Sequence, residues 1–310
     1  MNGHVHRTPI VHSQTFSRMT GAELFLKLEN MQRTGAFKVR GAMNKIATLS
    51  AAERAAGVVT ASAGNHAQGV ALAAAQAGIP SVVVMPTGAP EAKVMATEGY
   101  GSKVILHGAN YDEAFEEANR IARSEGATLV HAFDDPHVIA GQGTVGLEIL
   151  DDLPDVEAIL VPVGGGGLIS GIALAAKTVR PDIRIIGVQP ENASSGYRSW
   201  LGKTVAPVDK PTSVADGLLV KKPGKLTLQM MLKHVDDFAL VSEEEIAAAM
   251  VMLLERAKVL AEGAGAVCLA AVMNRKLGLE GRKTALVLSG GNVDLLRWAH
   301  TISPKAMHHA

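Results

Sequence analysis

A lysine between two glycines is the first candidate for chemistry in this chain of 310 residues. Lys38 lies in the segment 34–41, TGAFKVRG, just before an alanine-rich helical pattern that begins at Ala42. The positive end of that helix and the neighbouring Arg40 would both lower the pKa of the lysine amine. Lys38 is therefore a candidate Schiff-base nucleophile. An ordinary surface lysine in a loop is the alternative, and this motif alone does not exclude it.

A second polar motif follows a predicted strand and opens a predicted helix. Its residues are Ser62, Ala63, Gly64, Asn65 and His66. In an open α/β sheet, anionic ligands bind where free backbone N–H groups start a helix after the carboxyl end of a strand. A simple N-cap by Ser62 would explain the serine but not the Asn-His pair. Ligand binding and capping therefore carry equal weight for this motif.

Four consecutive glycines form a third motif between a predicted strand and a predicted helix that opens at Leu168. They are Gly164, Gly165, Gly166 and Gly167. Such a run can wrap an anion with successive N–H groups, at an entropic cost that a turn does not require. It lacks the third glycine of the dinucleotide fingerprint and the Lys-Ser/Thr ending of a P-loop. A phosphate site without nucleotide motifs, together with a candidate Schiff-base lysine, suggests pyridoxal 5′-phosphate as the cofactor.

A fourth motif, Ser289 followed by Gly290, Gly291 and Asn292, comes after another predicted strand. The serine hydroxyl could bond a heterocyclic nitrogen as a neutral partner. A turn that leads into the last helix is the more common explanation of such a motif taken alone.

Composition excludes several classes of partner. Thirty Lys+Arg balance thirty Asp+Glu, so no net charge favours binding to nucleic acid or to an anionic membrane. The single cysteine, Cys268, excludes an internal disulfide framework, and no apolar run has spanning length. The first nine residues lack the order of a signal peptide. We expect a cytoplasmic protein.

Short β-branched segments alternate with alanine-rich segments of helical period along the chain, which predicts an α/β fold with parallel sheets flanked by helices. The predicted strands are 57–60, 81–85, 103–106, 128–131, 158–163, 184–188, 237–241 and 284–288, and the predicted helices are 65–77, 91–98, 111–124, 138–150, 168–179, 242–259 and 264–276. The segment 195–225 has little periodicity and is predicted to be irregular.

With these motifs in order, the chain resembles the fold-type II pyridoxal-phosphate enzymes, whose fold is tryptophan synthase β-like. Within them it resembles the biodegradative threonine dehydratases. The resemblance extends over nearly the whole chain, through the blocks 25–35, 62–69, 138–144, 164–168, 215–217, 262–266 and 289–295.

The resemblance implies a role for each candidate residue. Lys38 would be the Schiff-base and catalytic lysine, with Phe37 and Gly217 on the two faces of the cofactor ring. Asn65 would bind the ring 3′-oxygen, Ser289 the ring nitrogen, and Gly164 to Gly167 with the Leu168 N–H the phosphate. The substrate carboxylate would lie among Ser62, Ala63, Gly64, Asn65 and His66, and its side chain near Phe133 and Asp134.

The resemblance further implies two domains, a small one of residues 33–134 inserted into a large cofactor-binding domain of residues 1–32 and 135–310. The expected reaction is dehydration and deamination of L-threonine, and also of L-serine, in a homodimer or homotetramer. A 3-hydroxyaspartate dehydratase, a serine racemase and a non-enzymatic phosphate-metabolite binder are the alternatives. Because the sequence ends soon after Leu295, we expect no C-terminal regulatory domain.

Some positions depart from the family pattern. Ala36 replaces the serine usual before Phe-Lys, which removes one hydroxyl near the cofactor. Ala63 replaces the serine that acts on the face opposite the lysine in serine racemases, so racemisation is not expected as the main activity. Gln189 and Ser195 stand where the metal-binding racemases have carboxylates, and a hard dication would find too few anionic oxygens there.

Treatment with EDTA should leave activity and melting temperature nearly unchanged, because the positions of Gln189 and Ser195 offer no carboxylate. The measurement compares both quantities before and after chelation. A large loss that magnesium restores would show that the ligands lie elsewhere.

Overall fold

The computed structural model describes residues 3–274 and 277–302, in which ten strands and thirteen α-helices alternate. The strands are β1 Ile10–His12, β2 Glu23–Leu28, β3 Val58–Ala61, β4 Ser81–Met85, β5 Lys103–Leu106, β6 Thr128–Leu129, β7 Ala158–Pro162, β8 Arg184–Pro190, β9 Asp237–Val241 and β10 Lys283–Leu288. The helices are α1 Gln14–Thr20, α2 Lys38–Ala47, α3 Ala51–Ala56, α4 Asn65–Ala77, α5 Glu91–Gly99, α6 Tyr111–Glu125, α7 Pro136–Asp152, α8 Gly167–Val179, α9 Ser195–Gly202, α10 Lys225–His234, α11 Glu243–Met252, α12 Gly263–Met273 and α13 Leu295–Ile302.

The strands form two sheets. The larger has the order β1-β2-β10-β7-β8-β9, in which only β1 is antiparallel to its neighbour. The smaller has the order β5-β4-β3-β6 and is parallel throughout. The predicted α/β class with parallel sheets flanked by helices is therefore confirmed.

Both faces of the six-stranded sheet are buried, as β10 illustrates. Leu286 and Leu288 pack into the core cluster that contains α12, whereas Ala285 and Val287 pack into the cluster that contains α8. A strand covered by helices on both faces has no solvent side, which explains its continuous apolar sequence. Polar residues are thereby confined to the strand ends.

The four-stranded sheet spans residues 58–129, within the segment predicted as the small domain. Helix α2 packs against both α4 and α7, so the helix that begins at Lys38 connects the layers of the two sheets. The exact domain boundaries, 33–134 inserted between 1–32 and 135–310, stay a prediction. In the described part of the chain, no helix is both long and apolar enough to cross a bilayer.

Several predicted boundaries are wrong. Helix α2 begins at Lys38 instead of Ala42. The predicted helix 242–259 ends at Met252, where a π-helical turn, Leu253–Ala257, leads to Lys258 with φ of 61°. Positive φ ends a right-handed helix, and the sequence carries no glycine there to announce it.

Other elements were not predicted. The segment 195–225 contains α9, and α10 begins at its last residue, Lys225. Strands β1 and β2 and helix α1 were also missed. Strand β2 has Lys27 fully buried near its end, which breaks the apolar pattern that identifies the other strands.

Glycines allow α2, α7 and α8 to approach closely. A Cβ atom added at Gly171 of α8 would overlap the carbonyl oxygen of Ile139 in α7. One added at Gly141 of α7 would lie 2.5 Å from the carbonyl oxygen of Arg40 in α2. Backbone atoms cannot move aside as a side-chain tip can, so these contacts require glycine.

We predict that Gly171→Ala lowers the free energy of unfolding by at least about 2 kcal/mol, the range for overpacking against backbone. The matched control is Gly99→Ala at the end of α5, where a Cβ meets nothing within 4 Å. There alanine should be neutral or stabilise by up to about 1 kcal/mol through helix propensity. Urea unfolding measures both, and equal midpoints would contradict the packing argument.

Candidate active site

Two backbone hydrogen bonds join the start of α2 to the carboxyl end of β10. The Phe37 N–H donates to the Ser289 carbonyl at 3.1 Å, and the Gly291 N–H donates to the Gly35 carbonyl at 2.9 Å. A Cβ at Gly35, which has φ of 70°, would overlap the Asn292 amide, so glycine is required there. The candidate lysine segment and the candidate Ser289 segment are therefore adjacent.

The Lys38 amine lies inside this junction. Its Nζ donates to the carbonyl oxygen of Ala132 at 2.9 Å and lies 5.2 Å from the centroid of the Phe37 ring. Burial lowers the pKa of Lys38 to about 8, and the carboxyl group of Glu262 opposes that shift. An amine with a pKa near neutrality can act as a nucleophile and as a base under ordinary conditions.

The expectation that Arg40 lowers the pKa of Lys38 is wrong. The Arg40 guanidinium is fully buried and paired with Glu29 and Glu148. Its positive charge is therefore balanced by neighbouring carboxylates, and desolvation of the Lys38 amine is the cause of the shift.

The tetraglycine segment follows β7 and opens α8. Gly166 has φ of 94°, and a Cβ there would lie 2.9 Å from Thr227. A Cβ at Gly165 would overlap the Phe133 ring. Helix α8 has no side-chain cap, so its first N–H groups are not occupied by a side-chain oxygen. A loop whose buried residues 165–167 leave no room for a Cβ, at an uncapped helix N-terminus, fits a phosphate group.

Gly217 lies beside this loop. A Cβ added at Gly164 would be 3.4 Å from the Gly217 carbonyl, and one added at Gly217 would be 3.2 Å from Ala264. The Ser289 hydroxyl donates to the carbonyl of the same Ala264 at 3.3 Å. The groups predicted at the phosphate, at one ring face and at the ring nitrogen are thus brought together.

A hydrogen-bond chain connects Asn65 to a carboxyl group that the sequence analysis did not single out. Asn65 Nδ2 donates to Glu262 Oε1 at 2.8 Å, and Asn65 Oδ1 accepts from Asn292 Nδ2 at 2.9 Å. Glu262 is 6% exposed, and burial raises its pKa to about 8, with Asp216 adding to the shift. The protonated form of Glu262 is therefore favoured at neutral pH, and in that form the carboxyl group can donate a hydrogen bond.

The motif at α4 is not a serine cap. Ser62 Oγ accepts from the Gly64 N–H at 3.2 Å, and Gly64 itself is the N-cap residue of α4. Ser62, Ala63, Gly64 and Asn65 are all partly exposed. They lie between the carboxyl end of β3 and the first turn of α4, and their predicted contact with the substrate carboxylate stays a prediction.

His66 differs from its neighbours because it is buried. Its Nε2 donates to the Val130 carbonyl at 3.0 Å, and burial lowers its pKa to about 3, with Lys38 adding to the shift. The ring is therefore neutral, and Nδ1 carries a lone pair that has no partner among the described residues. This arrangement offers no proton to a carboxylate, and the predicted carboxylate contact of His66 stays untested.

Phe133 contacts the tetraglycine loop, and Asp134 contacts the first turn of α10. The Phe133 ring packs on Gly165, and the Asp134 carboxylate accepts from the N–H groups of Lys225 and Thr227, both at 3.1 Å. Asp134 therefore caps α10. Its predicted position near a substrate side chain stays a prediction.

Gln189 and Ser195, which stand where the metal-binding racemases have carboxylates, are both engaged in hydrogen bonds with the backbone. Gln189 Nε2 donates to the carbonyls of Val163 and Ala193, at 2.9 and 3.1 Å, and Gln189 Oε1 accepts from the Tyr197 N–H at 2.7 Å. Ser195 Oγ donates to the Val220 carbonyl at 2.7 Å. The described part of the chain contains no group of three His, Cys, Asp or Glu side chains that could hold a metal ion. The amide of Gln189 anchors the residue that precedes the tetraglycine loop.

The fold and the site together define a class. A buried amine, a glycine cradle at an uncapped helix and a neutral serine meet at the carboxyl ends of parallel strands. This is the arrangement of an α/β enzyme that holds a phosphate-bearing aldehyde cofactor on a lysine.

Sequence comparison gives the family. Residues 1–290 match the model of the family described as pyridoxal-phosphate dependent enzyme, and the chain belongs to that family. Over 291 residues it is 56% identical to the L-threonine ammonia-lyase of Thermotoga maritima, covering 94% of this chain and 72% of that protein. Over 297 residues it is 48% identical to the catabolic L-threonine dehydratase TdcB of Escherichia coli, covering 95% and 90%.

Comparison with solved structures gives the same fold as the sequence comparison. The structure of maize serine racemase superposes with a TM-score of 0.92 at 39% identity, covering 98% of this chain and 94% of that one. The predicted family, fold type and cofactor are therefore confirmed. The roles of individual residues stay predictions that the following variants test.

We predict that Lys38→Ala abolishes the visible absorbance of the cofactor bound through the lysine and slows turnover by at least about 10²-fold, the low end for a positioned base. The matched control is Lys45→Ala on the same helix, because the Lys45 amine pairs with Asp135 outside the site. Spectra and rates of both variants are compared with the parent. Undiminished turnover in Lys38→Ala would end the assignment.

We predict that KM rises as pH increases through about 8, since Glu262 then ionises and places a negative charge beside Asn65, where the substrate carboxylate is expected. In Glu262→Gln the side chain stays neutral at all pH values, so KM should become independent of pH in this range. Retention of the same pH dependence in Glu262→Gln would assign the titration to another group.

Proposed function

We propose that this enzyme converts L-threonine to 2-oxobutyrate and ammonia, and L-serine to pyruvate and ammonia. Two curated relatives at 56% and 48% identity are named for threonine deamination, which supports this substrate class. The observation that carries the proposal is the buried Lys38 amine, which donates to the Ala132 carbonyl and whose pKa is lowered to about 8.

Lys38 is proposed to take the proton from the substrate α-carbon. Its pKa of about 8 keeps a useful fraction of the amine unprotonated near neutral pH. The Ala132 carbonyl, 2.9 Å from Nζ, directs the amine within the pocket. Proton transfer from one face only favours loss of the β-hydroxyl over inversion at the α-carbon.

Pyridoxal 5′-phosphate, when bound, supplies the electron-withdrawing ring that acidifies the α-hydrogen. The chain's own contribution is to hold it. Residues 164–167 and the N-terminus of α8 would take the phosphate, and Ser289 would face the ring nitrogen. A hydroxyl in place of a carboxylate leaves that nitrogen without a counter-ion, which weakens electron withdrawal and favours prompt elimination.

Asn65 and Glu262 are proposed to orient the reactants. The Asn65 amide is fixed from both sides, by Glu262 and by Asn292. A fixed amide can present its remaining N–H to an oxygen without the cost of ordering at the moment of reaction. The Phe133 ring covers the tetraglycine loop and limits the access of water.

Racemisation is a weaker candidate, although the serine racemase of maize is a close structural relative. A racemase needs an acid on the face opposite the base. Position 63, at the start of the α4 motif, carries a methyl group in this chain. No hydroxyl is therefore available there to return a proton from the other side.

The deciding experiment assays four products in parallel with purified enzyme. These are 2-oxobutyrate from L-threonine, pyruvate from L-serine, oxaloacetate from 3-hydroxyaspartate and D-serine from L-serine. We expect the highest kcat/KM with L-threonine and little D-serine. Faster D-serine than pyruvate formation, or a preference for 3-hydroxyaspartate, would replace the proposal by the corresponding alternative. Absence of any product with cofactor bound would favour a non-enzymatic binder.

The matched variant is Ala63→Ser, which restores a hydroxyl without changing any other candidate group. We expect the ratio of D-serine to pyruvate to rise by at least about tenfold, at the low end for an added acid/base group. An unchanged ratio would show that the face opposite Lys38 does not control the reaction outcome.

We further propose that the enzyme works in the cytoplasm as a homodimer or homotetramer. The lone cysteine, Cys268, is buried and free, which is compatible with a reducing compartment. Leu295 and Leu296 at the start of α13 are exposed apolar side chains of the kind that subunit contacts cover. Sedimentation equilibrium measures the assembly state, and a monomer at micromolar concentration would contradict it.

A further inference from the structure

Four charged side chains form a buried cluster directly behind the first turn of α2. Arg40 and Lys27 carry the positive charges, and Glu29 and Glu148 carry the negative charges. Arg40, Lys27 and Glu29 have no exposed side-chain surface, and Glu148 is 14% exposed. The proposed reaction does not use any of these groups. We call these four residues the Arg40 cluster.

The cluster uses the full donor capacity of the guanidinium. Arg40 Nε and Nη2 donate to the two oxygens of Glu29, both at 2.8 Å. Nη1 and Nη2 donate to the two oxygens of Glu148 at 2.7 and 2.8 Å, and Nη1 also to Thr144 Oγ1 at 3.1 Å. Two bidentate pairs of this kind fix both the position and the plane of the side chain.

The partners come from three separate parts of the chain. Glu29 follows β2, Glu148 and Thr144 belong to α7, and Arg40 Nη2 also donates to the His6 carbonyl at 3.2 Å. Lys27 Nζ, on β2, donates to Glu148 Oε2 at 2.6 Å. Helix α2 is thereby tied to the large sheet, to α7 and to the N-terminal segment at a point two residues after Lys38.

Equal numbers of opposite formal charges leave the cluster without net charge. Buried ion clusters seldom stabilise a fold more than apolar packing would, so stability alone is a weak reason for this one. A single unbalanced charge there would act on the Lys38 amine through a medium of low dielectric. A neutral cluster anchors the helix without that effect.

We propose that Arg40 is a positioning residue for Lys38, and that Lys27, Glu29 and Glu148 balance its charge so that the anchored helix adds no net field at the amine. The inference rests on the assignment of Lys38 as the Schiff-base lysine. It does not depend on which amino acid is the substrate.

The test uses the apoenzyme and measures how fast it takes up pyridoxal 5′-phosphate as a function of pH. Schiff-base formation requires the unprotonated amine, so the uptake rate rises with pH and levels off above the pKa of Lys38, which is about 8. The midpoint reports the pKa of the amine. The limiting rate reports whether the amine is correctly placed.

Other titratable groups face Lys38 and must be separated from it. Glu262, His66 and His131 all interact with the amine. The pKa values of both histidines are lowered, mainly by burial, whereas Glu262 titrates near the same pH as Lys38. All variants are therefore measured in a Glu262→Gln background.

Two variants that change the charge of the Arg40 cluster should shift the midpoint of the uptake rate against pH in opposite directions. Glu148→Gln leaves the cluster with one excess positive charge and should lower it, whereas Arg40→Met leaves one excess negative charge and should raise it. For charges about 10 Å apart at an effective dielectric of about 20, the shift is about one pKa unit. The double variant Arg40→Met/Glu148→Gln is neutral and should return the midpoint to the parent value.

Two charge-conserving variants test position. Arg40→Lys keeps the charge but loses both bidentate pairs, so the limiting rate should fall at least about tenfold with an unchanged midpoint. Thr144→Val removes one hydrogen bond to Arg40 and is the matched control, with a limiting rate within about threefold of the parent.

Defined outcomes overturn the proposal. Midpoints that stay at the parent value in Glu148→Gln, or that shift in the same direction in both charge variants, would reduce the cluster to a structural role. If Arg40→Met does not fold, Glu148→Gln decides alone. An unchanged limiting rate in Arg40→Lys would remove the positioning role. Borohydride-reducible cofactor in Lys38→Ala would instead refute the lysine assignment.

Discussion

The site depends on a short antiparallel bridge between segment 35–37 and segment 289–291, more than 200 residues apart in the sequence. The Phe37 and Gly291 N–H groups form its two backbone hydrogen bonds, and the Glu262 N–H donates to the Gly290 carbonyl at 3.2 Å. A Cβ at Gly290 would overlap the Glu262 carboxyl group. Backbone contacts of this kind place the amine, the serine and the carboxyl group in one pocket without relying on flexible side chains.

Burial is the common cause of the shifted pKa values in the pocket. It lowers the pKa of Lys38 to about 8 and that of His66 to about 3, and it raises the pKa of Glu262 to about 8. In each case the low dielectric disfavours the charged form. Near pH 7 a lysine whose free-amine form is accessible, a neutral imidazole and a mostly protonated carboxyl group can therefore coexist, because burial brings the charged and neutral forms of Lys38 and Glu262 close in free energy.

Ion pairing and desolvation also explain why the Arg40 cluster stays charged while the pocket beside it favours neutral groups. Arg40 stays ionised because Glu29 and Glu148 contact it directly, and its pKa lies above its ordinary value although burial opposes ionisation. Lys38, two residues earlier, has a backbone carbonyl as its only hydrogen-bond partner within residues 3–274 and 277–302. The first turn of α2 thus places an ion-paired guanidinium in the interior and an amine that can lose its proton in the pocket. Helical geometry makes this possible, because residues two apart point to different sides.

The sequence by itself determined the class of fold and identified the strand-end motifs that the structure brings together. Helix 65–77 and strands 81–85, 103–106 and 237–241 have the predicted bounds, because apolar periodicity and flanking turn residues are local signals. The tetraglycine loop, the α4 motif and Ser289 were recognisable for the same reason. Each lies at a strand end, and parallel strands bring their carboxyl ends to one edge.

Only the tertiary structure decided which groups set the pKa values and the charge balance around the pocket. Glu262 was part of a recognised sequence block, but its role arises from burial beside Asn65, which no local pattern encodes. The source of the Lys38 shift, the capping of α10 by Asp134 and the balance of charge at Arg40 likewise depend on partners distant in sequence. Desolvation and ion pairing are properties of the packed interior, so they become visible only when the surrounding atoms are in place.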